Sequence, residues 1–187
     1  MSRTVKYLFT ALVISLLLLI ISGCSSNIVW KLNRTPLDLL LISIKPNDES
    51  KVYYNFSSDI PEPFIFKSVM GSKYFIPVTS AFKDNINVYI STKFNNLIKD
   101  KNIEKPNVEI NVTLVSFGLK TIYVTSTGVD YEGTPYFQSA TIELLVVVSK
   151  DSKKIGEKNI IATTETVNKT IETSLIMFDK FLVSLGL

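Results

Sequence analysis

The stretch VEINVTL, residues 108–114, alternates apolar and polar side chains without a break. Successive side chains of a β-strand point to opposite faces, so this period of two predicts a strand with one face in the core and one in water. Residues 140–148 alternate in the same way, although Leu145 and Val147 place apolar side chains on the second face as well. After a charged turn, residues 155–167 predict a partner strand that is rich in threonine.

Two amphipathic helices are predicted, one before and one after these strands. Between Thr79 and Lys101 the apolar residues recur at spacings of three and four, which is typical of a helix with one buried face. Thr79 or Ser80 is expected to cap its first turn, and Pro106 blocks any extension. Residues 170–185 repeat the pattern and predict a second helix that ends the chain.

The residues before the first helix predict two more strands, over 37–44 and 51–57, joined into a hairpin by the turn Pro46-Asn47-Asp48. Residues 59–77 contain three prolines and a glycine, so a long loop is expected there. The order β-β-α-β-β-β-α predicts the α+β class, a mostly antiparallel sheet with both amphipathic helices packed on one face. We expect one such domain over residues 37–187.

The amino terminus has the composition of a secretory signal peptide. Arg3 and Lys6 precede an apolar run over residues 8–21, and two small residues end it. An uncleaved membrane anchor is the alternative. The apolar stretch over residues 7–21 is fifteen residues long, however, and a spanning helix needs about 20.

The end of this segment, Ile21-Ser22-Gly23-Cys24, resembles the lipobox of bacterial lipoproteins. In that family a signal peptidase recognises the aliphatic and small residues, here Ile21, Ser22 and Gly23, and cuts before the cysteine. The resemblance implies that the sulfur of Cys24 carries a diacylglycerol and that its freed amine receives a further acyl chain such as palmitate. Two or three acyl chains hold a protein stably on a membrane, so the mature chain is expected to be tethered to it.

These features divide the chain into a signal peptide over residues 1–23, a lipidated tether over 24–36 and the folded domain. Ser25 and Ser26 stand where many lipoproteins retained in the inner membrane carry aspartate. The resemblance therefore implies the outer membrane, with the domain facing the periplasm, while the inner membrane and the cell surface remain open. Trp30 is expected either at the level of the lipid headgroups or against the domain.

The order of the elements over residues 37–187 is similar to that of small bacterial envelope lipoproteins of the YajG type. More distantly, it resembles the LptE-like and ABC-transport auxiliary lipoproteins. This likeness rests on element order and on the lipobox, because no other motif carries it. It implies a non-catalytic envelope protein that binds a partner in a transport or assembly system. A periplasmic carrier of a lipid or another hydrophobic ligand is the alternative.

The composition excludes most kinds of site chemistry. The chain has no histidine and one cysteine, so imidazole-based triads, zinc sites and an internal disulfide are not expected, and neither is a cofactor. Without the leader, eighteen basic residues stand against seventeen acidic ones, because Arg3 and Lys6 leave with it, so nucleic-acid binding lacks an electrostatic basis. Asp130 and Glu132, on either side of Tyr131, are the candidate acid/base pair, and solvated turn charges explain them as well as catalysis does. We therefore predict that the protein is not an enzyme.

Aromatic residues crowd into the first strands and the proline-rich segment. If exposed, such a cluster marks a contact with a protein or a lipid, and otherwise it forms one edge of the core. A groove lined by Phe82, Tyr89 and Phe94 between helix and sheet would suit an acyl chain. The candidate partner-contact residues are Tyr53, Tyr54, Phe64, Phe66, Tyr74 and Phe75.

Overall fold

The computed structural model describes residues 27–29, 32, 50–67, 73–122 and 136–187. Eight strands and two helices lie among these residues, and they confirm the predicted α+β class. The strands are β1 (Asn27–Val29), β2 (Val52–Ser58), β3 (Phe64–Lys67), β4 (Lys73–Ile76), β5 (Leu97–Ile98), β6 (Val108–Ile122), β7 (Tyr136–Lys150) and β8 (Lys153–Thr164), and the helices are α1 (Val78–Lys93) and α2 (Val167–Ser184).

Five strands form the larger sheet, in the order β5-β2-β6-β7-β8. β6 pairs antiparallel with β7, and β7 with β8, which confirms the strands predicted from alternation. The alternation sets the faces of β6, with Ile110 and Val112 buried. A β-bulge between Leu114 and Ser116 shifts the register, so that Phe117 is buried on the same face.

β2 confirms the strand predicted over residues 51–57, and its partners are now defined. It runs parallel to β6 on one side and to β5 on the other. The hairpin partner predicted over residues 37–44 lies outside the described residues. Parallel pairing joins segments that are distant in sequence, because a parallel neighbour requires a long connection. Here that connection contains β3 and β4 of a second sheet and the helix α1.

The smaller sheet has the order β1-β4-β3, with β1 parallel to β4 and β3 antiparallel to β4. The prediction of a loop over residues 59–77 is therefore wrong at two places, where β3 and β4 form. Pro61 and Pro63 precede β3 and Pro77 follows β4, so the prolines bound these strands and do not interrupt them. β1 lies inside the range predicted as a tether.

Both helices differ from their predicted limits. α1 ends at Lys93, because Phe94 adopts an extended backbone with φ −122° and ψ 122°. The residues that follow form β5 and bury Ile98 at the edge of the larger sheet, so burial there outweighs the helical pattern. α2 begins at Val167, earlier than predicted, because the side chain of Thr166 caps its first turn.

The start of α1 is capped by a residue that is distant in sequence. Thr79 and Ser80 do not cap it as predicted, because its N-cap residue is Pro77, which makes no side-chain cap bond. The carboxylate of Glu62 accepts hydrogen bonds from the backbone N–H of Thr79 and from the Ser80 hydroxyl, both at 3.0 Å. The helix macrodipole favours a negative charge at this end. The contact fastens the segment between β2 and β3 to the helix.

A single core joins the two sheets and both helices. Both helices pack against one face of the larger sheet, and the rings of Tyr89 and Phe178 meet between them at 5.5 Å. The smaller sheet lies on this side too, because the Phe64 ring packs edge-on against Phe117 of β6 at 4.9 Å. Within the described parts of the chain, the opposite face of the larger sheet carries no helix, and it is called the helix-free face below.

Candidate contact surfaces

Several predicted site residues lie outside the part of the chain that the structure describes. They are the lipobox residues Ile21, Ser22, Gly23 and Cys24, the tether residue Trp30, and the acidic pair Asp130 and Glu132. The six aromatic contact candidates are all described. The structure divides them between the two sheets, two on β2 and four on β3 and β4.

The two tyrosines on β2 point to opposite faces of the larger sheet. Tyr54 packs against the core, and its hydroxyl is buried without a hydrogen-bond partner among the described residues. Burial raises the pKa of Tyr54, because the charged phenolate would lose its hydration. Tyr53 lies half-buried on the helix-free face, where the Lys101 ammonium stands 5.5 Å from the ring centroid and 3.6 Å from Glu109.

The helix-free face is mostly polar, but apolar side chains are set into it. Thr113, Asn111 and Glu143 of the central strands belong to it and are half-buried. Leu145 follows the same alternation on β7 and is also half-buried, while Ile161 on β8 is 56% exposed. Sequence alternation anticipated the apolar residues of β7 on this face and missed Ile161, whose neighbour Ile160 faces the core.

Three of the four rings on the smaller sheet face the core. In the antiparallel pair of β3 and β4, Phe66 is opposite Tyr74 and Phe64 is opposite Ile76, so these residues share a face. Phe64 and Phe66 pack against the core from there. Tyr74 has no exposed surface. The structure therefore corrects the prediction that Tyr74 contacts a partner, because its ring is a core element.

The opposite, outer face of the smaller sheet carries a row of apolar side chains across all three strands. Phe75 is paired with Val29 of β1 and with Ile65 of β3. Val29 is 72% exposed and Ile65 is 50% exposed, while Phe75 is half-buried. We call these three residues the outer apolar row. Of the six candidates, only Tyr53 and Phe75 point away from the core.

A second row on the same outer face is cationic. Lys73 of β4 is opposite Lys67 of β3 and beside Asn27 of β1. Both lysines are exposed, and neither has a carboxylate within ion-pair distance among the described residues. We call Lys67 and Lys73 the lysine pair. Of the residues in these two rows, sequence reasoning identified only Phe75, because the faces of such short strands are defined only by their pairing.

The groove predicted between helix and sheet is filled. Phe82, Tyr89 and Phe94 are at most 1% exposed, and Phe82 stacks on the Phe56 ring at 5.9 Å. The Tyr89 hydroxyl donates a hydrogen bond to Asp179 of α2. Burial, this hydrogen bond and the charge of the carboxylate all raise the pKa of Tyr89.

The same carboxylate binds a buried cation. The Lys93 ammonium lies 2.8 Å from an oxygen of Asp179, and its side chain is 3% exposed. The pair joins the last turn of α1 to α2. It is enclosed between the helices and is a structural contact. Among the described residues there is no group of three or more carboxylate or thiol side chains that would hold a metal ion.

This chain is similar to solved structures, but it matches no known sequence family. No family model and no curated protein matches the chain. Within the described ranges, no helix is long and apolar enough to span a membrane. One similar solved structure is protein XCC0632 from Xanthomonas campestris, assigned to the family DUF330, with 15% identity and a TM-score of 0.49 over 84% of this chain and 92% of that one.

Two further solved structures are similar over smaller parts. The hypothetical protein CT253 from Chlamydia trachomatis has 9% identity and a TM-score of 0.39, over 61% of this chain and 72% of its own. Lipoprotein GNA1162 from Neisseria meningitidis has 10% identity and a TM-score of 0.33, over 72% of this chain and 96% of its own. At these TM-scores and identities, nothing about the function of this chain follows from the likenesses.

Proposed function

We propose that this chain is a non-catalytic lipoprotein of the bacterial envelope, anchored by acyl chains on Cys24. The motif Ile21-Ser22-Gly23-Cys24 at the end of an apolar leader carries the proposal. Small residues before the cysteine leave the backbone open to a peptidase, and the thiol is the nucleophile for lipid transfer. β1 begins three residues after the cysteine, so the folded domain follows the anchor directly. Ser25 and Ser26 favour the outer membrane, with the domain in the periplasm.

The domain is proposed to bind a protein component of an envelope transport or assembly system through the helix-free face. Tyr53 and Ile161 provide apolar contact area there, and Lys101 and Glu109 provide charges beside the tyrosine. Tyrosine is among the residues that contribute most at protein interfaces. A polar face with a few apolar side chains is typical of an interface that assembles from separately folded proteins.

The alternative of a lipid carrier finds less support. The rings expected to line an acyl groove, Phe82, Tyr89 and Phe94, are packed in the core. To carry a lipid, the domain would therefore have to open, or the lipid would have to bind at another site. Native mass spectrometry of the detergent-purified full chain distinguishes the two, since a carrier retains a lipid in addition to the mass on Cys24.

Metabolic labelling with a fatty-acid probe tests the anchor. The native chain is expected to incorporate the probe and to start at Cys24, whereas Cys24→Ala incorporates none and accumulates as the uncut precursor. Ser25→Ala, one residue away, is the matched control and is expected to label normally. A native chain without acyl mass at Cys24 contradicts the proposal.

Photo-crosslinking in cells tests the partner face. A photoreactive phenylalanine analogue at Tyr53 is expected to capture a discrete envelope protein. The same analogue at Ile103, which is 82% exposed in the loop after β5, serves as the control and is expected to capture none. Equal capture at both positions, or at neither, contradicts a partner site on the helix-free face.

A further inference from the structure

The geometry points to a membrane contact beyond the lipid anchor: the outer face of the smaller sheet rests on the bilayer. In this arrangement the outer apolar row (Val29, Ile65 and Phe75) lies among the lipid headgroups, and the lysine pair (Lys67 and Lys73) binds lipid phosphates. The inference rests on the proposed lipidation of Cys24, which sets the position of the sheet relative to the membrane.

The first argument is the length of chain between the anchor and the sheet. Cys24 precedes Asn27, the first residue of β1, by three residues, which span at most about 11 Å when fully extended. The headgroup layer on each side of a bilayer is about 5–8 Å thick. Because the acyl chains hold Cys24 at this layer, β1 is always within reach of the headgroups.

The second argument is the composition of the outer face. Val29, Ile65 and Phe75 lie side by side in one register row, so their apolar surfaces are continuous across the sheet. With Val29 72% and Ile65 50% exposed, the row presents apolar surface to its surroundings. Partly apolar surfaces that lie in a membrane interface are buried among headgroups and the first acyl carbons, and aromatic rings are preferred at that depth.

The third argument is the lysine pair. Lys67 and Lys73 are directly opposite each other, and like charges in that position destabilise a sheet. Neither lysine has a carboxylate partner among the described residues. Phosphate groups would neutralise both charges and satisfy the ammonium donors. An apolar row bordered by unpaired lysines is complementary to an anionic membrane surface.

The architecture also orients the rest of the molecule. The smaller sheet lies on the helix side of the larger sheet, and its outer face points away from the shared core. With that outer face on the bilayer, the helix-free face is directed away from the membrane. The face proposed to bind a protein is then accessible from the periplasm. The short segment between Cys24 and β1 therefore keeps the smaller sheet at the membrane, and contact of its outer face sets the orientation of the domain.

Depth-dependent quenching on the lipidated full chain tests this orientation. Ile65→Cys and Ile161→Cys are each labelled with an environment-sensitive fluorophore, since Cys24 is acylated and does not react. The two positions have similar exposure but lie on opposite sides of the molecule. In vesicles of phosphatidylethanolamine and phosphatidylglycerol containing headgroup nitroxides, we expect a strongly quenched, blue-shifted label at position 65 and an unquenched label at 161.

Charge removal tests the role of the lysines. The double variant Lys67→Gln with Lys73→Gln is made in the Ile65→Cys background. We expect the ratio of molecules with the outer face on the bilayer to molecules with that face free to fall about fivefold for each lysine. The matched control is Lys150→Gln with Lys153→Gln, a second cross-strand lysine pair at the far hairpin of β7 and β8. The control is expected to leave the quenching unchanged. Replacing phosphatidylglycerol with phosphatidylcholine should reduce the quenching at position 65 as the double lysine variant does.

The outcomes separate this inference from the proposed function. Equal quenching at positions 65 and 161, on a chain whose mass shows acylated Cys24, overturns the membrane contact and leaves the lipoprotein proposal intact. Binding of free inorganic phosphate in place of vesicles would also overturn it, by assigning the lysine pair to a soluble anion. A chain without acyl mass at Cys24 overturns both, because the domain then has no lipid anchor to hold it at the membrane. Circular dichroism confirms that each variant is folded.

Discussion

The larger and the smaller sheet differ in how the sequence marks their two faces. On β6, apolar residues alternate with polar ones, so the core face and the solvent face are distinguished by residue type. On β3 and β4, aromatic and aliphatic residues occupy both faces, and only pairing shows that Phe66 turns inward while Ile65 turns outward. On β3 and β4 the core covers one of the two apolar faces, and we propose that the bilayer contacts the other.

The strongest way to test this contrast is to remove a core residue of the larger sheet. Leu144 is fully buried at the centre of β7, between β6 and β8. Leu144→Ala is expected to lower the free energy of unfolding by about 3–4 kcal/mol, because it removes buried methyl groups and leaves a cavity. Urea denaturation measures the effect. Leu145→Ala, on the helix-free face, is the control, and an equal loss there would contradict the assignment of the two faces.

The next effect concerns the contact between α1, which follows the smaller sheet, and α2, which follows the larger one. Asp179→Asn keeps the size of the side chain but leaves the Lys93 ammonium buried without a counter-charge. We expect a loss of about 2–3 kcal/mol, slightly below the usual range for buried pairs because Asp179 is 14% exposed. Glu104→Gln, in an ion pair whose side chains are both 55% exposed, should leave the denaturation midpoint unchanged.

The third test uses pH, since a buried tyrosine between the helices resists ionisation. Burial raises the pKa of Tyr89 well above the ordinary tyrosine value of 10.0, so the folded state keeps a proton that the unfolded state releases above that pH. Its contribution to stability is therefore fully present below pH 10 and is lost as pH rises further, by about 1.4 kcal/mol per pH unit. Tyr54 adds a similar slope.

Tyr89→Phe separates these two contributions. The variant is expected to show an alkaline decline that is shallower by up to about 1.4 kcal/mol per pH unit, measured as the slope of unfolding free energy between pH 10 and 11. Tyr54, whose hydroxyl is buried on β2, contributes to the slope that remains. An unchanged slope in the variant would show that Tyr89 ionises in the folded protein.

The smallest expected change lies on the outer face of the smaller sheet. Ile65→Thr keeps a β-branched side chain in β3 and removes part of an exposed apolar surface. The free energy of unfolding in solution should change by no more than about 0.5 kcal/mol, since Ile65 is half exposed. A loss as large as that of Leu144→Ala would mean that the outer apolar row belongs to a core, and would break the contrast between the sheets.

Local patterns predicted the helices and the long strands but not the limits of these elements. α1 was expected to continue to Lys101, and its apolar spacing does include Leu97 and Ile98. In the folded chain these two residues complete the edge of the larger sheet beside β2 instead. The same two apolar residues would fit a helix face or a strand. Pairing with the edge of the larger sheet beside β2 decides for the strand.

The contact candidates show the same limit. The clustering of aromatics predicted a contact region, and of its members Tyr74 is a core residue while Phe75, its neighbour, lies on the outer face. Adjacent residues in a regular strand point to opposite faces, but nothing in the local sequence states which face is the core. The lysine pair escaped prediction for a related reason, because Lys67 and Lys73 come together only when β3 pairs with β4.

The sequence alone determined the class of this protein, its long strands, its two helices and the motif that resembles a lipobox, because each depends on neighbouring residues read at a fixed period or as a contiguous motif. Tertiary structure decided the parallel partners of β2, the extra strands beside α1, and the separation of the aromatics into buried and outward rings. These features arise from contacts between segments far apart in the chain. Their energies depend on register and burial, which exist only after the chain has folded.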